Sequence, residues 1–270
     1  MTLSVLEKKR LKTKYGPWAV VTGASSGIGL EIAERLAESG LNLVINSRNL
    51  ETLEKISTDL KSKYAVEVLV VATDISQQKG IDILIQATKN LNVGMLVASA
   101  GFGTSGTFHV SPITDEVNML RVNCEALMIL THHFSNIFVQ NRRGGIILMS
   151  SIVAFQGVPY AAHYAATKAY VQTLAEGIAL ELRPFGVDVL AAAPGPVASG
   201  FGQRANMNMT STLTPQQVGI PILKALGRTT TVLPGFLTKL LAYSLSIVPR
   251  WGKIRIMKTV MSGMTEHQKR

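Results

Sequence analysis

The amino-acid sequence predicts an α/β fold in which a single, doubly wound parallel sheet is covered by helices on both faces. Short apolar runs alternate with segments of helical periodicity from residue 18 to residue 195, which is typical of parallel strands joined by crossover helices. The chain has 270 residues, 47% of them hydrophobic, enough to form one large core. Because no repeat, low-complexity tract or linker interrupts the alternation, one domain fits better than two.

The predicted strands are apolar runs, and the predicted helices have apolar residues three and four positions apart. Strands are predicted over residues 18–23, 41–46, 66–74, 94–101, 144–151 and 187–195. Helices are predicted over residues 27–40, 50–63, 80–91, 113–141, 161–186 and 215–227. We divide the chain into a basic N-terminal segment (1–16), a central domain (17–235), and an apolar and basic helical extension (236–270) packed on that domain.

The first predicted strand ends in a glycine-rich turn, TGASSGIG, over residues 22–29. Gly23, Gly27 and Gly29 follow a G-x-x-x-G-x-G spacing instead of the usual dinucleotide fingerprint, but they lie in the same place between strand and helix. Glycines let the backbone approach a pyrophosphate, and the helix N-terminus offers unpaired N–H groups. The turn is therefore a predicted dinucleotide site, and a tight turn without a ligand is the alternative. Its other cofactor-binding candidates are Ser25, Ser26 and Ile28.

The residues after the second predicted strand bear on which nicotinamide cofactor is bound. An acidic residue at this position would accept the ribose hydroxyls of NADH, but the sequence has Ser47 and Arg48. A guanidinium at this position would bind a 2′-phosphate. We therefore expect NADPH over NADH, with a solvent-exposed loop cation as the alternative interpretation of Arg48.

A tyrosine and a lysine lie four positions apart in the stretch HYAATKAY, so a helix would place both side chains on one face. Tyr164 is a candidate proton donor and Lys168 its charge partner. Taken alone, such a pair is more often part of a helix surface, since short motifs match by chance. Whether the pair is catalytic therefore depends on the rest of the chain.

With TGASSGIG in the first turn and YAATK about 140 residues later, the chain resembles the short-chain dehydrogenase/reductase family over residues 17–235. The resemblance implies a Rossmann-type fold and a catalytic set of Tyr164, Lys168, the Ser151 that precedes the tyrosine by thirteen residues, and Asn123 on the preceding long helix. It also implies a homodimer or homotetramer.

The resemblance adds further cofactor contacts. Asp74 and Ile75 match the adenine side, and the PGPVAS stretch matches the nicotinamide side through Pro194, Gly195, Val197 and Ser199. The family's N-N-A-G motif is ASAG here, which keeps Ala100 and Gly101, and the usual Asp ahead of that strand is Gly94. In the family this motif mostly supports the sheet and the adenine side of the cofactor site, so its loss bears on those features more than on the catalytic residues.

These residues predict hydride transfer to a carbonyl carbon while Tyr164 protonates the oxygen and Ser151 donates a second hydrogen bond. We expect the Lys168 ammonium to bring the pKa of the Tyr164 phenol from about 10 towards physiological pH. The resemblance assigns Asn123 to a water-mediated proton relay. The expected substrate is an apolar ketone, with a 3-oxoacyl thioester on a carrier as the leading candidate. The alternatives are an NADP-dependent alcohol or sterol dehydrogenase and a non-catalytic cofactor-sensing or membrane-surface scaffold.

The C-terminal stretch 234–264 combines an apolar helical face with basic residues. Three interpretations stay open for it: a core-packing or oligomer-interface helix, a membrane-surface helix, and a cover over a long apolar substrate. The face consists of Leu237, Leu240, Leu241, Leu245 and Val248. Upstream, Phe201 and the two methionines of the 199–212 loop suggest a pliable apolar wall of the substrate site, with an ordinary surface loop as the alternative.

Composition and charge limit the remaining possibilities. The net charge is +10, and the single cysteine, Cys124, allows no intramolecular disulfide, which favours a reducing compartment. No apolar stretch reaches the roughly 18 residues of a spanning helix, and the charged N-terminus argues against a secretory signal. We expect a cytoplasmic protein, with peripheral membrane contact left open, and neither a metal ion nor a nucleic-acid partner.

Overall fold

The computed structural model describes residues 2–209 and 212–268. Seven parallel strands form one sheet in the order β3-β2-β1-β4-β5-β6-β7, and this confirms the predicted fold class. The strands are β1 Trp18–Thr22, β2 Asn42–Ser47, β3 Val68–Ala72, β4 Val93–Ala98, β5 Gly144–Met149, β6 Val187–Ala192 and β7 Thr231–Val232.

Helices cover both faces of the sheet. The described helices are α1 Val5–Tyr15, α2 Gly27–Glu38, α3 Leu50–Tyr64, α4 Gln78–Thr88, α5 Ile113–Leu120, α6 Leu127–Gln140, α7 Ala162–Leu182, α8 Phe201–Arg204, α9 Pro215–Ala225, α10 Phe236–Ser246 and α11 Arg250–Met264. Alternate strand residues pack against α2, α3 and α9 on one face and against α4, α6 and α7 on the other. The period-two alternation of strand side chains thus separates two apolar layers.

The long helix predicted over 113–141 is divided. Between α5 and α6 the backbone forms a π-helical turn, Arg121–Ala126, which contains Asn123. Single π turns inside α-helices are frequent at functional sites. The short elements α8 and β7 were not predicted, because four and two residues are too few for a periodic pattern to be recognised.

The basic N-terminal segment forms the helix α1, which packs against the amino ends of the strands. At the end of α1, Tyr15 is fully buried, and its hydroxyl donates to Asp188 Oδ2 over 2.7 Å. A Cβ on Gly94 would lie 2.5 Å from the Tyr15 carbonyl oxygen, and one on Gly145 would lie 2.7 Å from the Tyr15 ring. This close approach explains why glycine occupies position 94 where the family usually has Asp. The domain boundaries themselves stay a prediction.

The carboxyl ends of the strands form the opposite edge of the sheet. Strand order reverses between β1 and β4, and ligands of such sheets bind in the crevice at this switch point. A large cavity lies there, and α10 and α11 contribute to its walls. Within the described part of the chain, no helix is both long and apolar enough to cross a bilayer.

Candidate active site

The cavity measures about 940 Å³ and runs along the carboxyl ends of β1 to β6. All the site residues predicted from the sequence line it, except Asn123. One part is formed by the glycine-rich turn and the ends of β2 and β3, and the other by apolar side chains of α8, α10 and α11. Tyr164, Ser151 and Lys168 line the same cavity, so a cofactor and a substrate can meet beside them.

The glycine-rich turn has the backbone geometry that close contact with a phosphate needs. Gly23 and Gly27 have φ angles of 67° and 60°, in the left-handed region that favours glycine. A Cβ on Gly29 would lie 2.3 Å from the Gly23 carbonyl oxygen, so no other residue fits at that position. Ser26 precedes α2 without capping it through its side chain, which leaves the first N–H groups of the helix for a ligand.

Polar groups at the end of β2 line the cavity next to this turn. Arg48 lines it directly, and Ser47 Oγ is buried without a hydrogen-bond partner among the described residues. A buried hydroxyl without a partner is unfavourable, so this atom fits a ligand that supplies one. Sequence reasoning missed Asn46, whose buried amide donates to the Val71 carbonyl over 2.9 Å and fixes the end of β3.

Tyr164 and Lys168 lie on the first turns of α7, facing Ser151 at the end of β5. All three residues are at least nine-tenths buried. Lys168 Nζ lies 5.8 Å from the centre of the Tyr164 ring and donates to the Met149 carbonyl over 2.8 Å. Gly101 lies beside the ammonium, since a Cβ on this glycine would approach Nζ to 3.3 Å. The glycine thus keeps space open beside the lysine.

The pKa values of this pair differ from the expectation. Burial raises the pKa of Tyr164 to about 12, and the hydrogen bond with Ser151 only partly opposes it. Burial also lowers the pKa of Lys168 to about 8. The expectation that the phenol's pKa moves towards neutrality was therefore wrong for the protein alone, because loss of solvation outweighs the hydrogen bond with Ser151 that favours the phenolate. The phenol is protonated at neutral pH and is available as an acid.

Asn123 lies behind the cavity and is fully buried. Its Oδ1 accepts from the Phe102 N–H over 3.1 Å, and its Nδ2 donates to the Phe102 carbonyl over 2.9 Å and to Thr167 Oγ1 over 3.0 Å. Thr167 in turn donates to the Tyr164 carbonyl over 2.8 Å. The Asn123 side chain therefore ties the loop after β4 to the helix that carries Tyr164.

Two aromatic contacts at the cavity link distant segments. Phe201 of α8 packs on the Tyr164 ring with 5.2 Å between ring centres, and the Arg204 guanidinium lies 4.0 Å from the centre of the Phe102 ring. The sequence singled out Phe201 as part of the apolar wall but missed Arg204 and Phe102. No local pattern marks them, because they meet only when the loops after β4 and β6 fold over the site.

The far part of the cavity is apolar and rich in flexible side chains. It is lined by Met207, Met209, Met257, Met261 and Met264, together with Leu237, Leu241, Leu245 and Val248. Methionine adapts its shape to bulky or irregular ligands.

Among the described residues, no group of three His, Cys, Asp or Glu side chains is placed to hold a metal ion. Cys124 is buried, and burial raises its pKa to about 11.

Comparison with known proteins agrees with this geometry. The short chain dehydrogenase family model matches residues 17–210. A very-long-chain 3-oxoacyl-CoA reductase-like protein of Arabidopsis thaliana is 37% identical over 198 residues, which cover 72% of this chain and 63% of that relative. A 7β-hydroxysteroid dehydrogenase of Clostridium sardiniense is 33% identical over 184 residues, covering 68% of this chain and 70% of that protein.

Solved structures give the same result. The structure of a 7β-hydroxysteroid dehydrogenase superposes with a TM-score of 0.85 at 27% identity, covering 92% of this chain and 98% of that one. A short-chain dehydrogenase from Sphingobium yanoikuyae in complex with NADPH has a TM-score of 0.79 at 26% identity, covering 87% and 97%. The chain belongs to the short-chain dehydrogenase/reductase family. The glycine-rich turn and the unpartnered Ser47 hydroxyl fit the nicotinamide dinucleotide that such relatives bind.

Proposed function

We propose that the protein is an NADPH-dependent carbonyl reductase that acts on an apolar ketone. The observation that carries this proposal is the placement of Tyr164, Ser151 and Lys168 in one cavity, between the glycine-rich turn and the methionine-rich wall. When bound, the reduced nicotinamide supplies the hydride. Every other part of the reaction falls to side chains of this chain.

In this proposal, Ser151 and Tyr164 bind the substrate oxygen. The Tyr164 phenol, with a pKa raised to about 12, holds its proton at neutral pH and gives it to the oxygen as negative charge develops there. The Lys168 ammonium stabilises the phenolate that results. Asn123 acts as a positioning residue through Phe102 and Thr167, and the family resemblance also assigns it to a water-mediated proton relay.

The preference for NADPH rests on the end of β2. Arg48 lines the cavity and Ser47 offers a free hydroxyl, while no carboxylate takes their place to bind ribose hydroxyls. Asp74 and Ile75 line the neighbouring wall, as the resemblance implies for the adenine side. A guanidinium and a hydroxyl together match a 2′-phosphate.

The substrate class follows from the apolar wall. Methionines, leucines and Phe201 form a large surface for a long chain or a fused-ring skeleton. A 3-oxoacyl thioester is the leading candidate, and Arg204 at the cavity adds a cation for an anionic carrier. The named activities of the relatives also include dehydrogenation of a hydroxysteroid, so a steroid ketone is the second candidate.

The proposed assembly is a homodimer or homotetramer that buries the α5 to α7 side. Several apolar side chains on these helices are exposed in the single chain, which suits an interface with a second copy. They are Ile113, Val117, Leu120, Met128, Tyr170 and Leu180.

The test is an NADPH-consumption assay across ketones, including a short 3-oxoacyl thioester and a steroid ketone. We expect turnover with NADPH, slower turnover with NADH, and none above background in a Tyr164→Phe variant. NADPH binding measured by fluorescence without turnover of any ketone would contradict the proposal and favour a cofactor-sensing protein.

A further inference from the structure

The helix α10 is apolar on two opposite faces. Its inner face, formed by Leu237, Leu241 and Leu245, lines the cavity. Its outer face carries a second stripe at helical spacing that the described residues leave uncovered. The stripe consists of Phe236, Leu240, Tyr243 and, just past the helix end, Ile247, with 82%, 52%, 67% and 86% of their surfaces exposed. We call these four side chains the outer stripe.

The charged residues of α10 and α11 are all positive. From residue 189 to residue 265 the sequence contains no Asp or Glu. In the same region, α10 and α11 carry Lys239, Arg250, Lys253, Arg255 and Lys258, of which all but the half-buried Lys253 are exposed. A second copy of this chain would bring the same positive charges to the same interface, whereas an anionic surface would neutralise them.

The side chain of Trp251 supports a lipid partner. It is exposed at the start of α11, and the Arg255 guanidinium lies 5.1 Å from its ring centre. A tryptophan paired with a cation combines an apolar ring with a polar edge, and such side chains are favoured at the level of lipid headgroups.

The same two helices also line the cavity. Leu237 and Leu241 of α10 and Ile256 and Val260 of α11 line the cavity and are also more than 40% exposed. A partner that covers the outer stripe would therefore contact a helix whose other face lines the cavity. For an apolar ketone dissolved in a bilayer, this placement shortens the path to Tyr164.

We propose that the outer stripe and the basic residues of α11 dock the protein on a bilayer that contains anionic lipid. Docking itself is independent of the reductase activity. The entry of an apolar substrate from the bilayer rests on the proposed function.

The experiment is flotation of the purified full chain with vesicles of phosphatidylcholine alone or with one third phosphatidylglycerol. We expect binding to the anionic vesicles, weakened at high salt because exposed charges are screened. Phe236→Ser combined with Ile247→Ser should reduce the bound-to-free ratio at least tenfold. The matched control, Val5→Ser with Leu6→Ser, removes two equally exposed apolar residues from α1 and should float like the wild type.

Two further measurements separate the possible outcomes. The emission of the wild type, but not of Trp251→Phe, should shift to the blue on adding anionic vesicles. Reduction of a short soluble ketone should be unchanged in Phe236→Ser with Ile247→Ser, which shows that the fold is intact. If no ketone is reduced by any variant, the proposed function fails while the flotation result still decides docking.

Absence of wild-type flotation at low salt would overturn the proposal. A second result would also overturn it: sedimentation showing a dimeric wild type and a monomeric outer-stripe variant, together with equal vesicle binding by the two proteins. The stripe would then be an interface between copies of the chain.

Discussion

The two ends of the sheet each contain a buried tyrosine, but in different surroundings. At the amino end, Tyr15 fits between Gly94 and Gly145 and donates to Asp188, which also pairs with Lys14 over 2.5 Å. At the carboxyl end, Tyr164 faces Ser151 and an open cavity. Burial raises the pKa of both phenols.

The difference lies in what each hydroxyl can still do. The Tyr15 hydroxyl keeps its proton and donates a hydrogen bond to the Asp188 carboxylate. The negative charge of this carboxylate disfavours the phenolate further. Tyr164 faces a hydroxyl and lies near an ammonium, both of which favour the phenolate once a proton has left. The same residue type therefore contributes stability at one end and, in the proposed function, proton transfer at the other.

The strongest test of this contrast is Tyr164→Phe. Loss of the proton donor should lower kcat for ketone reduction about 10³-fold, while the melting temperature should change little because the ring still fills its place against Phe201. Steady-state kinetics and calorimetry measure the two effects. A variant that keeps most of its activity would show that Tyr164 is not the acid.

A smaller effect is expected for Arg48→Gln. Removal of the guanidinium should cost about 1.5–3 kcal/mol of 2′-phosphate binding and lower the NADPH-to-NADH ratio of kcat/KM by about 10- to 100-fold. Lys55→Gln, a change on the exposed surface of α3, is the charge-matched control. If the NADPH-to-NADH ratio of kcat/KM were unchanged in Arg48→Gln, Arg48 would be a solvent-exposed loop cation and not a 2′-phosphate ligand.

The pH dependence tests the lysine. Below its pKa of about 8, Lys168 is charged and supports the phenolate, so reduction should be constant at low pH and fall up to tenfold per unit above pH 8. Because the folded pKa is lower than the ordinary value, the unfolded chain binds more protons between about pH 8 and 10.5. In that window this group makes folding more favourable as pH rises.

Activity and stability should thus change in opposite directions with pH. Lys168→Met, which removes the titrating group, should lack both trends relative to the wild type. If the free energies of unfolding of the wild type and of Lys168→Met changed in the same way from pH 7 to 10, this would contradict the lowered pKa of Lys168.

The smallest effect is expected at the amino end. Tyr15→Phe should remove one hydrogen bond to a carboxylate and lower the free energy of unfolding by about 1–2 kcal/mol, with kcat unchanged. Denaturant titration measures it, and Tyr243→Phe on the exposed side of α10 is the control. A loss of activity without a loss of stability in Tyr15→Phe would show that the two ends are coupled.

The fold class could be predicted because its signals are local. Alternating apolar strands and periodic helices define a parallel sheet, and the glycines at 23, 27 and 29 mark the turn where its first helix begins. The residues proposed for the site, apart from Asn123, line one cavity because the ends of parallel strands meet at one edge of the sheet.

Other features depend on contacts between distant parts of the chain. Tyr15 and Asp188 are 173 positions apart, and no local pattern relates either residue to Gly94 or Gly145. The apolar pattern of α10 predicted one helical face, but only packing shows that Leu240 faces outward while Leu237 and Leu241 also line the cavity.

The sequence by itself determined the order of the elements, the glycine-rich turn and the spacing of Tyr164 and Lys168, since each depends on backbone geometry over a few residues. The tertiary structure decided how deeply those side chains are buried, and therefore that the pKa of Tyr164 rises and that of Lys168 falls. Solvation depends on everything packed around a group, and that packing comes from the whole chain.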